Sequence, residues 1–141
     1  KIFEDYDHAL LLNDDIILRA DRNGIENFIN TQIYDFAVAE STNSVFLFPK
    51  QTYNEIGWFD EQFYPAYYED NDYFWRLECK KKILLKSYLL NPAIQQNSSS
   101  IAKDPSLNKG RENRKRYEKK WGGYPGRELW KAAYNINQTA E

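Results

Sequence analysis

The chain has 141 residues, 42% of them hydrophobic and 28% charged. That is the composition of one ordinary globular domain and excludes a disordered tail, a collagen and a coiled-coil rod. The net charge of −2 hides an asymmetry: residues 1–78 hold 16 acids and 5 bases, whereas residues 79–141 hold 5 acids and 14 bases. An acidic half can assemble a divalent-cation site and a basic half can hold phosphates, or each half neutralises the other by packing on it. The single cysteine, Cys79, excludes an intrachain disulfide and suits a reducing compartment. No apolar run approaches the ~20 residues of a membrane span, no signal peptide is visible, and the expected location is cytoplasmic.

In chain order, Ala9-Leu10-Leu11-Leu12 runs into Asn13-Asp14-Asp15, a pattern that predicts a buried strand delivering carboxylates at its end. Asp21-Arg22-Asn23-Gly24 signals a turn, and Ile25, Phe28, Ile29 and Ile33 predict a helix over 24–34. Ala37-Val38-Ala39 and Val45-Phe46-Leu47-Phe48 read as strands joined by a polar turn over 41–44, with Pro49 ending the second. A helical turn or two follows over 51–56, then a loop opening at Gly57. Glu69 to Lys80 predicts a helix with acids crowding its first turn, where the helix dipole favours them. Ile83-Leu84-Leu85 and Tyr88-Leu89-Leu90 predict one or two strands, broken at Asn91-Pro92 and followed by a polar loop over 95–100. A basic helix is expected over 106–121, capped by Gly122-Gly123. Leu129, Trp130, Ala133 and Tyr134 suggest a short docking helix in the tail.

Three constellations carry chemistry. Asn13-Asp14-Asp15 at a strand end offers the carboxylate oxygens that hard cations such as Mg²⁺ or Mn²⁺ take. Alone it reads more plainly as a turn with a helix cap. Gly57-Trp58-Phe59-Asp60-Glu61-Gln62-Phe63 combines a conformationally free glycine with aromatics whose apolar faces and polar tips suit a sugar. Tyr68-Glu69-Asp70-Asn71-Asp72 places three acids in four positions, where a carboxylate can take a proton from a hydroxyl. Core packing and favourable helix-start charge are the plainer readings of the last two.

Together the three motifs resemble family-2 inverting glycosyltransferases. Asn13-Asp14-Asp15 is similar to the DXD-type motif. The stretch from Gly57 to Phe63, followed by Tyr68-Glu69-Asp70-Asn71-Asp72-Tyr73-Phe74-Trp75-Arg76, resembles the family's G-x-F-D-E-x-F and Y-x-E-D-x-D-x-x-x-R signatures. Lys119-Lys120-Trp121-Gly122-Gly123 resembles its K-W-G ending. The resemblance implies an α/β fold of GT-A type, a Rossmann-like mixed sheet flanked by helices. It implies transfer of a hexosyl or deoxyhexosyl group from a UDP- or GDP-sugar to a glycan or other hydroxyl acceptor, with Mn²⁺ or Mg²⁺ as cofactor. Asp15 and Asp14 would hold the metal, Asp70 would be the general base and Glu69 would shape it. Asn13, Gly57, Trp58, Asp60, Glu61, Tyr68, Asp72, Arg76, Lys120 and Trp121 would serve donor or acceptor.

Two departures qualify the resemblance. A metal-binding His that many relatives carry after the acidic helix and its strand is replaced by the stretch Gln95-Gln96-Asn97-Ser98, and the only His is His8. The family's N-terminal, nucleotide-gripping half is also missing. Residues 1–123 are thus expected to be the C-terminal part of a catalytic domain, with 124–141 as an extension. Two further readings stand beside this one: a metal-dependent nucleic-acid-processing or nucleic-acid-binding domain, using the acidic and basic halves, and a non-catalytic sugar-binding domain. Clustering of the bases in one segment disfavours a nucleic-acid partner.

Overall fold

The computed structural model describes residues 2–13, 15–95 and 103–136. The chain divides into two compact units, Lys1–Gly57 with Lys81–Ser98 and Trp58–Lys80 with Ser99–Glu141. The fold class is mixed α/β, as expected.

The first unit opens with a turn of helix, α1 (Ile2–Asp5), then strands β1 (His8–Leu12) and β2 (Ile16–Leu18). Helix α2 spans Arg22–Thr31 rather than 24–34. It starts earlier because the Asp21 carboxylate accepts from Gly24 N at 2.8 Å, and it ends where Gln32 turns extended. Strands β3 (Phe36–Ala39) and β4 (Val45–Pro49) follow, with α3 (Lys50–Ile56) directly after Pro49. Later, β5 (Leu84–Ser87) and β6 (Pro92–Gln95) return to this unit. A four-stranded mixed sheet runs β1-β4-β3-β5, antiparallel except for the parallel β3–β5 pair. A separate antiparallel pair joins β2 to β6.

All four residues of β3 are buried, as are Val45 to Phe48 of β4, so these central strands are covered on both faces. On one face Ala37, Ala39, Val45 and Leu47 pack with Phe28 of α2 and with Leu90. On the other, Phe36 meets Phe48 edge-on at 4.6 Å. Strand β1 corrects an expectation. It pairs only with β4 among the described residues, so it is a half-buried edge strand and not a buried one, and Leu12 is 40% exposed. Tyr88 to Leu90 form a 3₁₀ turn instead of a strand, because the Ser87 hydroxyl accepts from Leu89 N and curls the backbone. Pro92, expected only to break the pattern, opens β6, the first position of a strand being one that tolerates a missing N–H. Of the polar loop expected over 95–100, residues 96–100 lie outside the described residues.

The second unit is built on α4 (Glu69–Cys79) and α5 (Gly110–Trp121). Helix α5 begins four residues later than expected, since Asp104 caps a separate 3₁₀ turn at Pro105–Leu107. It ends where Gly122 adopts φ +78°, as the two glycines predict. Its apolar stripe places Tyr117 and Trp121 against Phe63, with Tyr68 and Trp75 alongside. Among the described residues the tail contains no regular docking helix. Tyr134 and Asn135 both take φ of +58°, left-handed backbone that kinks the short turn at Ala133–Asn135 and interrupts any right-handed helix there. The tail is instead tied back by Leu129 N and Trp130 N, which both donate to Trp121 O.

Among the described residues, no helix is long and apolar enough to cross a membrane.

Candidate active site

The acidic helix start and the loop before it meet in one place. Trp58, Phe59, Asp60, Glu61, Tyr64 and Glu69 are among the walls of a cavity of about 530 Å³ within the second unit. Four residues singled out from the sequence, Trp58, Asp60, Glu61 and Glu69, therefore share one cavity. Glu69 Oε2 is buried without a hydrogen-bond partner among the described residues. Burial raises the pKa of this carboxyl and the neighbouring Asp70 charge adds to the effect, against the opposing pull of the Glu69 backbone N–H. A carboxyl with an unspent oxygen and a raised pKa is suited to proton transfer. Asp70 does not line this cavity. Its Oδ1 accepts from Asn71 N at 2.8 Å.

The backbone entering α4 is strained. Tyr67 and Tyr68 both sit in the left-handed region, with φ of +75° and +76°. The fully buried Asn113 of α5 holds this conformation. Its Nδ2 donates to Phe63 O at 2.6 Å, Ala66 O at 2.8 Å and Tyr67 O at 3.2 Å. Asn113 escaped the sequence reading. The available signal was a polar residue four before Tyr117 on the otherwise apolar stripe of α5.

Several predicted site residues serve the scaffold instead of lining the cavity. Asp72 is fully buried and accepts from Arg76 Nε at 2.9 Å, Trp121 Nε1 at 2.8 Å and Lys120 Nζ at 2.6 Å. Lys120 Nζ also reaches Asp60 Oδ2 at 2.7 Å. Burial works against the Asp60 carboxylate, but its bonds to Lys120 and Gln62 N outweigh this and keep its pKa below the ordinary value. Arg76 Nη2 donates to Trp58 O at 2.8 Å, which ties the loop to α4. Tyr68 precedes α4 with its ring 5.7 Å from that of Tyr117. Gly57 belongs to the first unit, where it ends α3 at φ +85°, ψ −160°, a conformation in effect reserved for glycine.

The basic stretch of α5 is partly committed within its own unit. Arg114 pairs with Glu118 at 2.8 Å and Arg116 donates to Gln62 O at 2.7 Å. Lys120 is buried in the Asp60–Asp72 network.

The predicted metal residues belong to the first unit. Asn13 is exposed and its N–H donates to Ser44 O at 3.0 Å; Asp14 lies outside the described residues. Asp15 occupies the turn between β1 and β2, and its Oδ1 is buried without a partner among the described residues. An orphaned carboxylate oxygen fits one ligand of a hard cation. Among the described residues no group of three or more His, Cys, Asp or Glu side chains is placed to hold a metal. No family model matches the chain, and neither does any curated protein or solved structure.

Proposed function

We propose that the protein transfers a sugar from a nucleoside-diphosphate donor to an acceptor hydroxyl, with inversion. The cavity around Glu69 carries this reading: a desolvated carboxylate with an unspent oxygen faces a space walled by Trp58 and Tyr64. The aromatic faces suit the C–H side of an acceptor sugar, while Asp60 and Glu61 suit its hydroxyls. Glu69 takes the proton of the attacking hydroxyl as the new glycosidic bond forms and the anomeric bond to the diphosphate breaks. The nucleoside diphosphate leaves in the same single displacement, which inverts the anomeric centre. The resemblance assigns the proton to Asp70, and the two adjacent carboxylates are the candidates that the test must separate.

Asp15, with Asp14, would hold Mn²⁺ or Mg²⁺, whose chemistry when bound is to offset charge on the diphosphate. The mixed sheet is compatible with the GT-A architecture that the resemblance implies.

The test is release of nucleoside diphosphate from a panel of UDP- and GDP-sugars in the presence of Mn²⁺ and hydroxyl acceptors. Glu69→Gln is expected to lower turnover roughly a hundred-fold or more. Asp70→Asn with the larger loss would move the base to Asp70. No release from any donor, or full rates in both variants, overturns the reading.

A further inference from the structure

A second cavity, of about 370 Å³, opens on another face of α4 and shares no wall with the first. Asn71, Phe74, Trp75 and Glu78 line it at positions i, i+3, i+4 and i+7 of the helix, with Tyr117 and Glu128 opposite. Its aromatic wall is fixed in place. The Trp75 indole N–H donates to Trp130 O at 3.0 Å, and its ring stands edge-on to Trp121 at 6.5 Å. The Tyr117 hydroxyl is spent on Glu128 Oε1.

The remaining polar groups are unspent. The Asn71 side-chain amide and the Glu78 carboxylate make no hydrogen bond or ion pair with any described residue. Glu128 keeps its second oxygen. Among the described residues no Lys or Arg side chain lines the cavity, so a phosphate or carboxylate ligand would meet the Glu78 and Glu128 carboxylates with no cation on the wall to compensate it.

We infer that this cavity binds a neutral sugar residue. The aromatic wall of Phe74 and Trp75 takes the C–H face of a pyranose, and the amide of Asn71 both donates to and accepts from hydroxyls. Glu78 and Glu128 accept from hydroxyls that an anionic ligand would replace with repulsion. Cavities in this size range commonly hold small ligands through an apolar wall and a few placed polar groups. The inference does not rest on the transferase reading, because it concerns binding without donor, metal or turnover.

Titration of the ¹⁵N-labelled protein with the methyl β-glycosides of glucose, galactose and N-acetylglucosamine tests it. At least one glycoside is expected to shift the Asn71, Phe74 and Glu78 amide signals and the Trp75 indole signal, saturating roughly in the millimolar range for a ligand of this size. Asn71→Ala and Glu78→Ala are each expected to weaken that binding about five-fold or more. Neither side chain has a hydrogen-bond or ion-pair partner among the described residues, so the fold is expected to persist, which the remaining amide spectrum checks. Absence of shifts at these residues with all three glycosides overturns the inference. Shifts that persist unchanged in both variants overturn it as well. Stronger perturbation by tetramethylammonium than by any glycoside overturns it in favour of an organic-cation site.

Discussion

Glu69 shows at the scale of one residue how an acid can be costly to the fold and useful to a reaction. Because burial raises its pKa, the folded chain holds its proton more tightly than the unfolded chain does. Its contribution to stability is therefore full below the ordinary glutamate value of 4.5 and declines as pH rises through the raised folded value. Glu69→Gln cannot ionise. Its melting temperature is expected to gain on that of the wild type as the pH climbs from about 4.5 into the neutral range, while turnover falls. A melting series over that range checks the sign, and a gap that narrows with pH would contradict it. Asn113 does the opposite work. Asn113→Ala would strip three backbone carbonyls of their shared donor and release the left-handed Tyr67-Tyr68 pair. The expected cost is roughly 2–3 kcal/mol by denaturant unfolding.

Single elements here carry several duties at once. Helix α4 faces the core with Tyr73 and Leu77, binds Arg76 and Asp72 into a buried ionic network, and lines the second cavity with Asn71, Phe74, Trp75 and Glu78. The network joins α4 to α5 through Asp72, Lys120 and Trp121 and to the 58–63 loop through Asp60 and Arg76. Breaking a buried ion pair strands the surviving charge, so Lys120→Met and Asp72→Ala are each expected to cost roughly 3–5 kcal/mol. The double variant should cost clearly less than the two together, since it leaves neither charge of that pair stranded. Additivity in that cycle would show that the two residues act independently. The end of α5 is equally constrained. A Cβ on Gly123 would lie 1.9 Å from Arg127 O, and one on Gly122 would lie 2.7 Å from the Trp130 ring. Gly123→Ala meets backbone, which cannot rotate aside. A loss of about 2 kcal/mol or more is expected in the same unfolding measurement.

Across the whole molecule, the candidate chemistry is distributed between two units. Asp15 belongs to the unit of the mixed sheet, and Glu69 with both cavities belongs to the unit of α4 and α5. On the transferase reading this predicts separable defects. Asp15→Ala should abolish most metal-stimulated turnover without lowering the melting temperature, because its Oδ1 makes no bond among the described residues. Glu69→Gln should depress turnover while leaving the metal concentration for half-maximal rate unchanged. Equal metal response in wild type and Asp15→Ala would remove Asp15 from the metal site.

The amino-acid sequence by itself determined the α/β class, the central strands β3 and β4, the acidic helix α4 and the glycine stop of α5. Each rests on a local signal: continuous apolar runs, helical spacing with acids at the start, or a residue able to adopt positive φ. It also singled out Trp58, Asp60, Glu61 and Glu69 from two separate motifs, and the fold gathers them around one cavity. Tertiary structure decided the rest, because those outcomes depend on partners distant in the chain. Leu10 and its neighbours read as a buried strand, but pairing on one side leaves β1 at an edge. Asp72, Arg76, Lys120 and Trp121 read as ligand-binding residues, yet Arg76 pairs with Asp72 on its own helix, and Lys120 and Trp121 reach Asp72 and Asp60 from 48 to 60 positions away and satisfy them inside the fold. The tail read as a helix, yet left-handed Tyr134 and Asn135 and the bonds to Trp121 O bend it otherwise. Whether a polar side chain faces a ligand or a neighbour is set by what packs beside it, and linear spacing does not encode that.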